Sequence, residues 1–417
     1  MKKIKINGGK DLTGEIVISG AKNSAVALVP ASLLSDGIIT IDNVPNISDI
    51  GALTEILEFL GAKVTREQEK MIIDQTNLQN KEIPESKAKR LRASYYFMGA
   101  LLGKYKKVEI YFPGGCSIGA RPINLHLKGF EALGAKIIEN GNKYLITADE
   151  LIGSNIYLDF PSVGATINIM LAAVKAKGET IIDNAAKEPE IVNVATFLNN
   201  MGAKISGAGT SEIRIQGVSN LTDGFTEVIP DRIEAGTYVI AGALMGNKLK
   251  IKNIIPEHIE ALILKLKEIG IPMEINEDYL IISKATKTKP VNIRTLGYPG
   301  FPTDLQQPIT TLLVEVEGTS MLEETIYENR FQNIPFLNEM GADIVIDNRK
   351  LYIRGPKVLK GATVTATDLR AGACLVLAGL KAEGTTIIND VEHILRGYEN
   401  IIEKLHNVGA DIILVDE

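Results

Sequence analysis

The sequence predicts an α/β protein of two globular halves, each made of three copies of one small unit. Three observations predict it: a phrase that recurs six times at near-constant spacing, a helix rich in small residues ahead of each copy, and a last copy that lacks strands the others have.

The phrase, apolar-Gly-Ala-X-apolar, stands at Leu60-Gly61-Ala62-Lys63-Val64, Leu133-Gly134-Ala135-Lys136-Ile137, Met201-Gly202-Ala203-Lys204-Ile205, Met340-Gly341-Ala342-Asp343-Ile344 and Val408-Gly409-Ala410-Asp411-Ile412. A reduced copy is Ile269-Gly270-Ile271. The six glycines are 73, 68, 68, 71 and 68 residues apart, the mark of one structural unit used repeatedly. Each follows an amphipathic stretch such as 254–269 and precedes a β-rich one, so it reads as the left-handed residue that ends a helix. Upstream of that helix comes a strand of the kind at 384–389, 178–183 and 37–42. Ahead of the strand is the second helix, rich in Ala and Gly: 21–34, 92–102, 163–176, 233–245, 304–316 and 368–380. Small residues there let helix backbones approach closely in a core.

The unit is therefore helix, strand, helix and two strands. The sixth copy, ending at Asp411–Glu417, lacks its final strand and a lead-in. The segment from Lys3 through Ser19 resembles that from Glu212 through Pro230, so the amino-terminal strands are expected to complete the sixth unit. This predicts one domain at 22–229, carrying repeats one to three, and another formed by 1–21 with 230–417. The chain would cross twice, near 20–22 and 229–231, and such a double hinge predicts a ligand cleft between the halves. A solenoid whose repeats serve only packing is the alternative, and open-ended stacking fits the closure poorly.

With 417 residues and 45% hydrophobic content the chain can fill more than one core. Its 45 Lys and Arg against 51 Asp and Glu leave a net charge of −6, which excludes a broad basic footprint for nucleic acid. An anionic ligand must then meet a local basic pocket. No apolar run follows the charged first residues, and the longest apolar stretches, 25–34 and 371–380, are too short to span a bilayer. A cytoplasmic protein with no membrane partner is expected. The two cysteines sit in unlike settings, so no disulfide framework is expected, and Cys374 in an apolar helix-like run reads as a buried thiol. The histidines, at 126, 258, 393 and 406, form no metal-ligand spacing. No phosphate loop or dinucleotide fingerprint occurs, so neither metal nor organic cofactor is expected.

If the units share one fold, chemistry belongs where one copy departs from the rest. Lys22 opens an apolar helix in Gly20-Ala21-Lys22-Asn23-Ser24, where it either meets an anion or is a solvated lysine. Cys116 lies in Pro113-Gly114-Gly115-Cys116-Ser117-Ile118-Gly119-Ala120-Arg121-Pro122; an Arg five positions on favours the reactive thiolate, and a small buried side chain in a turn is the bland alternative. Asp304, after Phe301-Pro302-Thr303, either accepts a proton from a substrate hydroxyl or caps a helix. Arg330, Arg370 and Arg396, each at the end of a repeat element, suggest a small, highly charged anion, although singly each reads as a surface ion pair.

These residues in this order resemble the enolpyruvyl transferase family, on the branch that acts on a UDP-amino sugar. The resemblance runs over the whole chain. It is carried by Gly20–Asn23, Arg92–Ser94, Gly114–Pro122, Ser162–Thr166, Asn184–Glu190, Phe301–Asp304, Glu328–Phe331, Thr367–Arg370 and Arg396–Tyr398. It implies two inverse α/β, barrel-like domains of three repeats each. The implied reaction joins phosphoenolpyruvate to UDP-N-acetylglucosamine, giving an enolpyruvyl ether and phosphate, a step of peptidoglycan synthesis and so of cell-wall growth, shape and division. No cofactor or metal is implied. By resemblance, Lys22, Arg121 and Arg396 would hold phosphoenolpyruvate, with Arg92 and Arg370 supporting, and Arg330 would be among the substrate-binding residues. Cys116 would be the general acid toward the methylene carbon and the site of fosfomycin alkylation, and Asp304 would take the proton of the sugar 3-hydroxyl. Asn23 and the Ile326 backbone would contact the amino sugar. Pro122, Ile123, Asn124, Leu125, Ser162, Val163 and Gly164 would cradle uridine and diphosphate. Asn124 stands where many members have Asp, and Phe160 where some have Lys, which puts the uridine contacts in question. The sister enzyme acting on shikimate 3-phosphate lacks a thiol in this loop, which favours the sugar nucleotide. A non-catalytic sugar-nucleotide sensor is the remaining alternative.

Overall fold

The computed structural model describes residues 2–113 and 123–416. The repeat is plainest in residues 155–216. The strand Asn155–Tyr157 leads into the helix Val163–Ala173 and then the strand Glu179–Asp183, which lies parallel to the first. The helix Pro189–Asn200 follows, and the hairpin Lys204–Ser206 with Glu212–Gln216 returns antiparallel onto Glu179–Asp183. The helix between the two parallel strands supplies the crossover that parallel pairing needs. Residues 292–355 repeat this order with Asn292–Arg294, Gln306–Val314, Gly318–Glu323, Ile334–Glu339, Ile344–Asp347 and Lys350–Gly355. Six such sheets occur among the described residues, five of four strands and one of three. They are separate ladders, and none closes into a barrel. In the three-stranded sheet the lead-in is reduced to a single parallel bridge, Ile83 to Ile110.

The six repeat glycines share one backbone state. Gly61, Gly134, Gly202, Gly270, Gly341 and Gly409 have φ of 100°, 93°, 106°, 99°, 107° and 104°, where a Cβ is strained. Gly202 isolates that strain, because a Cβ built there would meet no atom within 4 Å. Gly202→Ala is therefore expected to lower unfolding free energy by about 1–2 kcal/mol through the backbone alone, read from the midpoint of a urea titration. An unchanged midpoint would refute this.

The amino-terminal strands divide their allegiance, which corrects the expectation that both complete the sixth unit. Lys2–Asn7 does so, lying between Thr385–Asn389 and Asp411–Asp416 with antiparallel pairing on both sides. Glu15–Val17 instead pairs parallel with Leu249–Lys252 of the fourth unit, and Gly224–Glu227 pairs parallel with Ile38–Asp42 of the first. The reason is topological. The helix after Glu15–Val17 is Lys22–Ala31, which packs with the first three units, so each lead-in strand is left to pair with the unit on its own side of a crossing.

By density of contacts the described chain divides into one body of residues up to Ser19 and from Pro230 on, and another of residues 20–113 and 123–229. Each has its own hydrophobic core. Their inner helices are buried almost throughout: every residue of Arg232–Met245 except Arg232 is buried. Small residues serve the close approach expected of them. A Cβ on Gly99 would stand 2.3 Å from the Asn168 carbonyl oxygen on the facing helix Val163–Ala173. The expected helix 254–269 is shorter, a 3-10 turn at Pro256–Ile259 followed by a helix at Glu260–Ile269, because Pro256 begins the turn. No helix among the described residues is long and apolar enough to cross a membrane.

The crossing segments are tied down within each body. Buried Glu234 accepts the Ser19 amide at 2.8 Å and the Lys404 ammonium at 2.7 Å, and Lys404 also donates to the Ser19 hydroxyl at 2.6 Å. Asn193 binds the other segment, donating to the Glu227 carbonyl at 3.0 Å and accepting the Ile229 amide at 3.2 Å.

Candidate active site

Asp304 sits in the 3-10 turn Thr303–Leu305, entered from Pro302 in extended conformation. It is not the N-cap residue of this turn or of the helix Gln306–Val314, which are Pro302 and Leu305. Two guanidiniums hold its carboxylate: Arg330 Nη2 donates to Oδ1 at 2.7 Å and Arg370 Nη2 to Oδ2 at 3.1 Å. Asp304 is 24% exposed, whereas Arg330 and Arg370 are 3% and 4% exposed. Each carboxylate oxygen accepts one of these guanidinium bonds, and a carboxylate oxygen can accept more than one donor, so the group is anchored by two cations and partly exposed.

Arg370 is placed by its helix, Leu369–Lys381, whose N-cap Asp368 accepts the amides of Arg370 and Ala371 at 2.8 and 3.0 Å. Arg330 comes from the segment between Gly318–Glu323 and Ile334–Glu339, and its Nη1 donates to Thr303 Oγ1 at 2.9 Å. Burial opposes the charge of both arginines, yet both are held above the usual guanidinium range, Arg330 mainly by Asp304 and Arg370 by Tyr398 and Asp304. Arg396 lies just past the short helix Glu392–Leu395 and is half-buried. The three arginines thus enter from unlike positions in their units. The anion shared by Arg330 and Arg370 in this structure is the protein's own carboxylate.

In the body of residues 20–229, Lys22 opens the helix Lys22–Ala31 with Nζ 2.9 Å from Asp49 Oδ2. The lysine at an apolar helix start therefore meets an internal anion. Asn23 follows it, half-buried. Arg92 stands with its guanidinium 6.0 Å from the Tyr95 ring centre, and Tyr95 packs edge-on against His126 at 4.8 Å. Ser162 caps the helix Val163–Ala173, its Oγ accepting the Ala165 amide at 3.3 Å. Val163 and Gly164 form that helix's half-buried first turn. A Cβ on Gly164 would lie 3.2 Å from His126 Nε2, so the imidazole faces the turn. Ile123 and Asn124 precede and begin the helix Asn124–Ala132, with Ile123 buried, Leu125 packed on the core, and Phe160 55% exposed. Ile326 is 40% exposed, its amide bound to Glu324. Cys116, Arg121 and Pro122 lie outside the described residues.

The sequence reading missed His126, Asp49 and Glu324. His126 is buried, and its tautomer follows from its neighbours. Asn168 Oδ1 accepts the Gly99 amide at 2.7 Å, so Nδ2 is the donor to the Tyr95 carbonyl and to His126 Nδ1, each at 2.9 Å. Nδ1 accepts, and the proton resides on Nε2. Burial, aided by Arg92, pushes the imidazole down to about 3. A neutral donor thus faces a helix N-terminus, an arrangement suited to an oxygen-rich anion. A lone His in the first turn of an amphipathic helix carries no signal of this in sequence. No group of acidic, His or Cys side chains among the described residues could hold a metal ion.

Comparison with known proteins extends over the same chain length. The family model of EPSP synthase (3-phosphoshikimate 1-carboxyvinyltransferase) matches residues 6–405. A Bacillus cereus protein named UDP-N-acetylglucosamine 1-carboxyvinyltransferase 2 is 54% identical over 99% of this chain and 96% of its own length. A Listeria monocytogenes protein of the same name is 54% identical over 98% and 97%. Among solved structures, the enolpyruvyl transferase NikO from Streptomyces tendae superposes with a TM-score of 0.90 at 26% identity over 99% of both chains. EPSP synthase from Acinetobacter baumannii shares the fold, with a TM-score of 0.78 at 17% identity over 100% of both. With a family match across nearly the whole chain and relatives this similar, the chain belongs to the enolpyruvyl transferase family, among its UDP-N-acetylglucosamine 1-carboxyvinyltransferases.

Proposed function

We propose that the chain transfers the enolpyruvyl group of phosphoenolpyruvate to the 3-hydroxyl of UDP-N-acetylglucosamine by addition and elimination, releasing phosphate, as the first committed step toward peptidoglycan. The observation that carries this reading is the 54% identity, end to end, with proteins named for that transfer. In the addition, Asp304 accepts the hydroxyl proton as the sugar oxygen bonds to C2 of phosphoenolpyruvate, and the methylene carbon takes a proton, from Cys116 in this reading. In the elimination, the bond from C2 to the phosphate oxygen breaks, the methyl group returns a proton to the Cys116 thiolate as the double bond is restored, and the sugar proton passes from Asp304 to the departing phosphate or solvent. The support for Asp304 is its anchored and partly open carboxylate. Lys22, Arg121 and Arg396 would neutralise phosphoenolpyruvate, with Arg92, Arg330 and Arg370 behind them, and fixed cations aimed at a tetrahedral, anion-rich intermediate stabilise it. Asn23 and the Ile326 backbone would meet the amino sugar. Residues 122–125, with Ser162, Val163 and Gly164, would cradle the nucleotide. The connectors 20–22 and 229–231 would serve as a hinge, the reaction would run in the cytoplasm, and fosfomycin would alkylate Cys116.

The matching family model also carries the description of a shikimate 3-phosphate enzyme, so the acceptor is the decisive test. Phosphate release from phosphoenolpyruvate is expected only when UDP-N-acetylglucosamine is supplied. Release with shikimate 3-phosphate and none with the UDP sugar would overturn the choice of acceptor; release that ignores both would overturn the transferase reading.

A further inference from the structure

Asp304 is held by Arg330, and what holds Arg330 is the next question. Glu324 follows the strand Gly318–Glu323 and is 1% exposed. A carboxylate so buried persists only when its oxygens are well supplied with donors. Oε1 accepts the Ile326 amide at 2.7 Å, the Tyr327 amide at 3.1 Å and Thr295 Oγ1 at 3.1 Å. Oε2 accepts Thr303 Oγ1 at 2.8 Å. Its backbone is pinned as well, the Glu324 amide donating to the Arg349 carbonyl at 2.8 Å.

The direction of this network is fixed by the chemistry of its members. A guanidinium only donates and an ionised carboxylate only accepts, so the single Thr303 proton goes to Glu324 and its lone pairs receive Arg330 Nη1 at 2.9 Å. Arg330 Nη2 then donates to Asp304 at 2.7 Å. One buried carboxylate therefore sets two things at once: the turn that presents the Ile326 backbone and, through Thr303, the side of the guanidinium that orients Asp304.

We propose that Glu324 is a positioning residue for the transfer, keeping the proton-accepting carboxylate of Asp304 and the Ile326 turn in one register through Thr303 and Arg330. The proposal rests on the reading of Asp304 as the base. Its distinctive requirement is an acceptor opposite the Thr303 hydroxyl. A carboxamide at 324 has the same shape but places either its amino group against Thr303 or that group against the two backbone amides. In the first case Thr303 must turn its proton elsewhere and loses its alignment with Arg330; in the second the turn loses its cap.

The test uses the full chain and steady-state phosphate release with both substrates, normalised to folded protein. Glu324→Gln and Thr303→Val are each expected to lower kcat by about ten- to a hundredfold, the scale of a misplaced catalytic group, with KM for phosphoenolpyruvate within about twofold. Their combination should be no worse than the more damaging single change, because both cut one chain. Thr303→Ser, which keeps the hydroxyl, should restore most of kcat. In an Asp304→Asn background, Glu324→Gln should remove nothing more. An unchanged kcat in folded Glu324→Gln, multiplicative losses in the double variant, or no rescue by Ser would overturn the proposal. If Asp304→Asn itself turned over normally, the base reading would fail and with it the proposal; an inactive Asp304→Asn beside a fully active Glu324→Gln would sink the proposal alone.

Discussion

Asp304→Asn is expected to lower kcat for phosphate release by about a hundred- to ten-thousandfold, the contribution typical of a positioned general base. The amide is the informative replacement. It keeps the side-chain shape and one oxygen for a guanidinium, but it cannot take the sugar proton. Asp304→Ala is a poorer test, because Arg330 and Arg370, 3% and 4% exposed, would face each other with no acceptor between them. Removing one partner of a buried ion pair costs about 3–5 kcal/mol, and the lower end applies here, since Asp304 itself is 24% exposed. Its lost activity would mix missing chemistry with partial unfolding. Thermal melts run beside the kinetics separate the two, and an Asn variant with wild-type kcat removes Asp304 from the role of base.

His126 is expected to stay neutral across the whole physiological range and to make the fold sensitive to acid. Its folded value, down to about 3, lies below the unfolded value of 6.5. The unfolded chain therefore binds the proton more readily, and the stabilisation is fully present above pH 6.5 and drains away as pH falls toward 3. The slope is at most about 1.4 kcal/mol per pH unit, so the loss approaches about 4–5 kcal/mol at the acid end. Glu234 works in the opposite sense. Burial pushes its carboxyl from 4.5 up to about 7 in spite of Lys404, so its term is fully present below pH 4.5 and is lost as pH rises through 7. Between pH 4.5 and 6.5 the two slopes oppose each other; below 4.5 that of His126 stands alone. His126→Asn, which can still accept from Asn168, should flatten the acid limb of stability against pH. Nuclear magnetic resonance should show the His126 ring with its proton on Nε2 and no titration between pH 5 and 8. A ring that titrates near 6.5 would contradict the buried, neutral assignment.

The legible parts of the sequence were those governed by local rules. The six glycines could be read because a left-handed residue after a helix strongly favours Gly, and the small-residue helices because close packing demands short side chains. Cys374 was read correctly as a buried thiol: burial pushes it up to about 11, and Thr311 and Asn333 bind its sulfur. The exchange of lead-in strands was not legible. Glu15–Val17 and Gly224–Glu227 are both short β segments before a small-residue helix, and nothing within either names its partner. The site was legible in its members more than in its wiring. Asp304, Arg330 and Arg370 stood out one by one, but that two arginines converge on the carboxylate depends on contacts spanning 26 and 66 residues. Glu324 looked like one more acidic residue at a strand end.

The pairing of Lys2–Asn7 between Thr385–Asn389 and Asp411–Asp416 has a consequence for biosynthesis. Ribosomes make chains from the amino end at about 5–20 residues per second, so this strand emerges roughly 20–80 s before its later neighbour. Residues 20–229, by contrast, include every strand of their own three sheets and can fold while the rest is still being made. During the wait both edges of Lys2–Asn7 are open to stray pairing, the hazard of any unpaired strand. Three of its six residues are lysine, and like-charged side chains along an unfilled edge discourage a second nascent chain from occupying the place kept for the last strand.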